Sequence, residues 1–155
     1  MVPGTLTDGV EAASLDDVMR ESDVVVVLAT LNEKTKGLIG SRELAFMKPS
    51  AFLVNTARGE LIDENALIET LTHQKIAGAA LDTFTVEPLP AESPLRALSN
   101  VILTPHMVGQ TQAAADEFKP VLLESALRIL DGNLPIHCKN ADTHQCLSTS
   151  CCRII

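Results

Sequence analysis

An α/β fold built on a parallel sheet follows from three features of this 155-residue sequence. Its apolar runs are continuous rather than alternating, they are rich in β-branched or small residues, and helix-like segments separate them. Alternation marks a strand with one wet face. Its absence marks a strand buried on both faces, as in parallel sheets sandwiched between helices.

The elements can be justified in order. Ser14-Leu15-Asp16-Asp17 resembles a capping box that opens a short helix, because the Ser hydroxyl can accept the backbone N–H at Asp17. Asp23 leads into Val24 to Leu28, predicted as a first strand buried on both faces. Gly40-Ser41 begins a second short helix through Phe46, which Pro49 ends. Ala51 to Asn55 is the second strand. Asp63 caps a helix with apolar spacing at Ala66, Leu67, Ile68 and Leu71. Ile76 to Leu81 is the third strand, where Gly78-Ala79-Ala80 admits a neighbour closely. Val101 to Leu103 is the fourth, and Gln112 to Leu130 forms a long final helix stopped by Gly132-Asn133. Residues 1–136 read as one organised region, and 137–155 as a Cys-rich, irregular tail.

Composition narrows the function classes. Lys and Arg number 12 against 20 Asp and Glu, a net charge of −8, and the 3% of aromatic residues are all Phe. An acidic chain without Trp or Tyr is poorly suited to capturing nucleic acid or anionic membrane. The longest apolar stretch, Val24 to Ala29, is too short to span a bilayer, and no secretory signal is visible. All four cysteines lie at or beyond Cys138, so a disulfide framework is not expected and a reducing, cytoplasmic setting is. His137, Cys138, His144, Cys146, Cys151 and Cys152 lack the paired spacing of a zinc site, and no metal is expected.

Ligands of open α/β sheets bind beyond the carboxyl ends of the strands. Thr56-Ala57-Arg58-Gly59 follows the second strand, Asp82 and then Glu87-Pro88 follow the third, and Thr104-Pro105-His106 follows the fourth. Topology thus collects an Arg, two carboxylates and a His at one end. A guanidinium fork pairs bidentately with a carboxylate, and a His beside a Glu is a common acid/base arrangement. Together they would hold a small carboxylic acid and move a proton at its neighbouring oxygen. Each residue also has a plainer reading: Arg58 as a surface ion pair, Glu87 as a solvated loop residue, His106 as a hydrogen-bonded structural group.

The stretch Val54-Asn55-Thr56-Ala57-Arg58-Gly59-Glu60-Leu61-Ile62-Asp63-Glu64 resembles the signature of the D-isomer-specific 2-hydroxyacid dehydrogenases. So do Gly78 to Phe84 with Glu87-Pro88-Leu89-Pro90, Asn100 to His106, and Leu31 to Ile39, within a similarity running from Gly9 to Pro135. The resemblance implies an NAD- or NADP-dependent oxidoreductase interconverting a 2-oxo acid and a D-2-hydroxy acid. It implies that Arg58 binds the substrate carboxylate, that His106 exchanges the proton, and that Glu87 orients His106. It also implies cofactor contacts from Ala29, Thr56, Ala57, Arg58, Asp82, His106 and Gly109.

That family's cofactor domain opens with a strand and a Gly-x-Gly-x-x-Gly turn, which this sequence does not contain. The expected fold is therefore a partial doubly wound (Rossmann-like) parallel sheet lacking its first strands and its Gly-rich turn, the later part of an NAD(P)-binding domain. With its natural neighbour absent, the first strand becomes an exposed edge. The helices that should cover both faces there are missing too, so its apolar side chains are exposed as well, and self-association or homo-oligomer formation is expected. Two other readings stay open. The chain could be a non-catalytic protein-binding module, since some members of the family act as corepressors, or an inactive fragment.

Overall fold

The computed structural model describes residues 11–136 and residue 138, and the chain forms two compact units, one ending at Val108 and the other beginning at Gly109. The first contains helix α1 (Leu15–Glu21), strand β1 (Val24–Val27), helix α2 (Ser41–Leu44), strand β2 (Phe52–Asn55), helix α3 (Glu64–Thr72) and strands β3 (Gly78–Leu81) and β4 (Val101–Leu103). The strands form one sheet in the order β1-β2-β3-β4, every neighbouring pair parallel. The expected α/β fold is present.

Local chemistry sets the helix starts. The Ser14 hydroxyl accepts the Asp17 N–H at 3.2 Å, and the Asp63 carboxylate accepts those of Asn65 and Ala66, both at 3.1 Å. At α2 the N-cap is Gly40, whose N–H donates to the Glu43 carboxylate at 3.0 Å. These bonds satisfy first-turn amides that have no intrahelical acceptor. The second helix is shorter than its sequence suggests, closing at Leu44 with a turn through Met47.

One face of the sheet is buried. Val25, Val27, Leu53, Ala79 and Leu81 pack in a cluster with Met19 of α1, Leu44 of α2, and Leu67 and Leu71 of α3. The other face is open. Burial alternates along β1, with Val25 and Val27 buried while Val24 and Val26 are 53% and 51% exposed. Phe52 and Ile102 are exposed on the same side as Val26, and Leu28 lies beyond the end of the strand. The run itself suits cover on both sides, and the exposure expected of it where covering helices are lacking is what is found. All three helices of this unit contribute their buried residues to a single face, and the alternate side chains of β1 stay exposed.

Register fixes the rim where the loops emerge. Val27, Asn55 and Leu81 pair across the sheet in one row, and Leu103 joins it through Leu81. Chain leaving the sheet beyond this row leaves on one side. Gly59 shows how closely these loops approach: a Cβ there would overlap the Phe84 carbonyl and the Thr85 nitrogen. Gly78 meets the Asn100 carbonyl and the Phe52 ring in the same way.

The second unit is built on helix α4 (Gln112–Leu130), whose Thr111 hydroxyl accepts the Ala114 N–H at 3.1 Å. Pro120 lies inside it, and Gly132 turns left-handed just past its end with φ of 76°. That glycine is where the sequence places the stop. None of the helix's residues is buried, and Phe118, Leu122 and Leu127 are exposed. The rest of the tail and its metal-like residues, apart from Cys138, lie outside the described residues.

The contact at Gly59 generates a prediction. Gly59→Ala forces a methyl into backbone that cannot rotate away, and overpacking of this kind costs about 1–3 kcal/mol or more. The urea midpoint should fall, with the largest backbone NMR shifts at Phe84 and Thr85. An unchanged midpoint would show that the two loops do not touch.

Candidate active site

Three strand ends build the site. At β2, buried Asn55 folds the chain back on itself: its side-chain amide donates to the Arg58 carbonyl at 2.9 Å and its side-chain oxygen accepts the Ala57 N–H at 3.0 Å. This Asx-type turn sets the backbone of Thr56-Ala57-Arg58. Thr56 and Ala57 are half-buried, while Arg58 is exposed and donates from Nη1 to the Ala57 carbonyl at 2.6 Å.

At β3, Asp82 is buried with 3% of its surface exposed, and its N–H donates to the Asn55 carbonyl at 3.0 Å. Its carboxylate accepts the Thr104 hydroxyl at 2.5 Å, the Met107 N–H at 2.9 Å and the Val108 N–H at 3.1 Å. Burial pushes this carboxyl's pKa up. The three donors and the nearby His106 outweigh it, so the net shift is downward and Asp82 is ionised.

Glu87 and His106 meet directly. Nδ1 of His106 lies 2.8 Å from one Glu87 oxygen, and the other oxygen accepts the Phe84 N–H at 3.0 Å. Chiefly through its bond to His106, then the Phe84 amide and the charges of His106 and Arg58, Glu87 is held below the usual carboxylate range against a smaller effect of burial. A cavity of about 490 Å³ opens beside the pair, with Phe84, Leu89, Leu103 and Pro105 among its walls. Apolar walls on one side leave the contact less screened than it would be in open water.

The candidate residues can now be placed. Glu87 and His106 are in contact, Arg58 lies within electrostatic reach of Glu87, and Asp82 is bonded to the loop that carries His106. Ala29 lies two residues beyond β1, half-buried against the core. Gly109 belongs to the second unit, beside Thr111 and Phe118 at a separate hollow. Sequence reasoning gave no role to Asn55, Gly59 or Thr104. An Asn at a strand's end followed by a turn is a signal for the first, whereas the other two matter only through partners distant in sequence.

The arrangement has known relatives. Residues 4–108 match the family described as "D-isomer specific 2-hydroxyacid dehydrogenase, NAD binding domain". The glyoxylate reductase of Aeropyrum pernix is 39% identical over 134 residues, 86% of this chain and 40% of that protein. The crystal structure of D-lactate dehydrogenase with NAD+ from Lactobacillus jensenii superposes with a TM-score of 0.72 at 34% identity, covering 80% of this chain and 41% of that one. A D-isomer specific 2-hydroxyacid dehydrogenase from Xanthobacter autotrophicus Py2, in complex with NADPH and MES, gives 0.64 at 39% identity, covering 79% of this chain and 50% of that one. The chain thus spans about 40% of the length of the curated relative it matches. With the family match covering most of its length and the Arg, Glu and His standing at one rim of the sheet, the chain belongs to the D-isomer specific 2-hydroxyacid dehydrogenases, in the NAD-binding part of that family.

Proposed function

We propose that the chain supplies the proton-handling and carboxylate-binding residues of an oxidoreductase that interconverts a small 2-oxo acid and a D-2-hydroxy acid with NAD or NADP. The observation that carries this reading is the 2.8 Å contact between His106 and Glu87, on the rim that also bears Arg58. An ionised Glu87 accepts a hydrogen bond, so Nδ1 of His106 keeps its proton and exchange with substrate falls to Nε2. In the reducing direction the imidazolium gives that proton to the developing alkoxide. In the oxidising direction the neutral ring takes it from the hydroxyl. Arg58 pairs with the substrate carboxylate and draws electron density from the adjacent carbonyl. The names of the relatives, a glyoxylate reductase and a D-lactate dehydrogenase, support a substrate of a few carbons.

The nicotinamide, when bound, supplies or receives the hydride. Thr56, Ala57, Arg58, Asp82 and His106 would border it, Ala29 would lie toward the adenosine portion, and Gly109 would complete the loop after His106. The residues fit that cofactor in part. A hydroxyl, half-buried peptide groups and a guanidinium at the end of β2 suit an amide-bearing ring. The pyrophosphate needs a cradle of backbone N–H groups, and the sequence carries no Gly-x-Gly-x-x-Gly turn to provide one. A cytoplasmic setting belongs to the same proposal, in keeping with cysteines confined to the final eighteen positions.

The experiment is a hybrid in which residues 11–136 replace the matching segment of the Aeropyrum pernix glyoxylate reductase. It should oxidise NADH or NADPH in the presence of glyoxylate. His106→Ala should cut kcat by about 10²–10⁴-fold, and Arg58→Ala should lower kcat and raise KM together. Wild-type turnover in the His106→Ala hybrid would refute the assignment.

Glu87 adds a pH test. Its folded pKa is lowered, so the stability it contributes is full above the ordinary value of 4.5 and is lost as the pH falls through the lower folded value. The gap in urea midpoint between the chain and its Glu87→Gln variant should therefore be largest near neutrality and close in acid. A gap that widens on acidification would reverse the sign and sink the ion-pair assignment.

The proposed partner of the β1 edge is a second copy of the chain. No strand lies outside β1 among the described residues, and Val24 and Val26 are half-exposed beside it without a Pro or Lys to discourage pairing. Val26→Lys should lower the association constant seen in sedimentation velocity by about tenfold or more, since a buried like-charge pair would face itself across the joint. A monodisperse monomer of the unmodified chain would rule out pairing at this edge.

A further inference from the structure

We infer that Asp82 is a positioning residue, whose carboxylate fastens the loop carrying His106 to the end of β3 and thereby sets where the imidazole meets Glu87. The inference rests on the reading of His106 as the proton carrier. What suggests it is where the three donors come from. All belong to the segment Thr104–Val108, and they flank His106 on both sides: the Thr104 hydroxyl two residues before, the Met107 and Val108 amides one and two residues after. The loop is thus pinned on both sides of the His.

The backbone at His106 requires such a pin. Its φ is 53°, in the left-handed region that L-residues with a full side chain seldom occupy, and its N–H donates to the Thr104 carbonyl at 3.1 Å across a very tight turn. A conformation of this kind persists where surrounding bonds over-determine it. Asp82 supplies them from a buried site, and its own N–H is tied to the Asn55 carbonyl, the residue that also shapes the Arg58 turn. One polar path therefore links both turns: Arg58 carbonyl to Asn55, Asn55 to Asp82, Asp82 to the His106 loop.

The two carboxylates divide the labour. Glu87 meets the ring, and Asp82 holds the backbone beneath it. The resemblance implies a cofactor contact for Asp82. Three donors from the His106 loop occupy most of the acceptor sites on its two oxygens, a second role beside the cofactor contact the resemblance implies.

The test uses the 155-residue chain and NMR. In Asp82→Asn one oxygen becomes an NH₂ group that faces donors. Amide exchange at Met107 and Val108 should accelerate by about tenfold or more, the scale of one lost charge-assisted hydrogen bond, while core amides such as Leu53 keep their protection. The proton signal of His106 Nδ1–H on Glu87 should weaken or vanish, a change that a general loss of stability with the core intact would not produce. If Asp82→Asn costs the fold and the core amides exchange too, Thr104→Val carries the test. It removes only the hydroxyl, and should speed Met107 and Val108 exchange by about threefold with the core protected. Unchanged exchange at both amides and an unchanged Nδ1–H signal in the folded variant would overturn the inference. Neither signal depends on turnover, so a hybrid inactive toward glyoxylate would overturn the dehydrogenase reading and leave this one standing.

Discussion

Because β2, β3 and β4 run parallel with Asn55, Leu81 and Leu103 side by side, every segment that continues past this row does so from one rim of the sheet. Nothing else in the first unit could bring residues 58, 82, 87 and 106 to one place, since they share no local element. The register depends in turn on close packing. Gly78 lets the neighbouring Asn100 carbonyl and Phe52 ring approach, and the buried cluster of Leu53, Leu67, Leu71 and Leu81 holds α3 against the sheet. Parallel strands cannot be joined by a tight hairpin, so each crossover must carry enough chain to pack as a layer. The loops at the rim are then what remains between layer and strand.

Loops at such a rim face a shared difficulty. They are close enough to the core to lose water, yet their amides and carbonyls have no ladder to join. Asn55, Asp82 and Glu87 resolve this with side-chain acceptors and donors that stand in for missing backbone partners. The same side chains set how the rim presents its polar groups, because whatever pins a loop also sets the direction of the group it carries. Gly59 contributes by omission, allowing the Arg58 turn to rest against the backbone at Phe84 and Thr85, three residues from Glu87. Satisfying loop amides and orienting the side chains those loops carry are here one task.

The sheet is strongly asymmetric. Helices α1, α2 and α3 all commit their apolar residues to one side, and Val24, Val26, Phe52 and Ile102 stand exposed on the other. The bonds of Asn55, Asp82 and Glu87 to the rim loops nonetheless lie between strand ends already fixed by the covered face. The geometry around His106 therefore depends on the half of the core that is complete.

Much of this was legible in the sequence. The non-alternating runs gave parallel strands, Ser14 and Asp63 marked helix starts, Gly132 marked a stop, and the order of strand ends was enough to gather Arg58, Asp82, Glu87 and His106. These features are local or follow from topology, so short-range patterns carry them. The exposure of the first strand followed from the family resemblance and not from the run itself. A run such as Val24 to Leu28 records that its residues tolerate burial, not whether a layer is present to bury them. That Glu87 meets the imidazole was implied by the family resemblance, but that Asp82 holds the backbone beside it was out of reach, because both carboxylates follow β3 and differ only in how the chain folds between them. That distinction, like the left-handed turn at His106 and the demand for glycine at position 59, exists only once distant segments touch: hydrogen bonds and steric overlap act over a few ångströms of space, and sequence separation does not encode that distance.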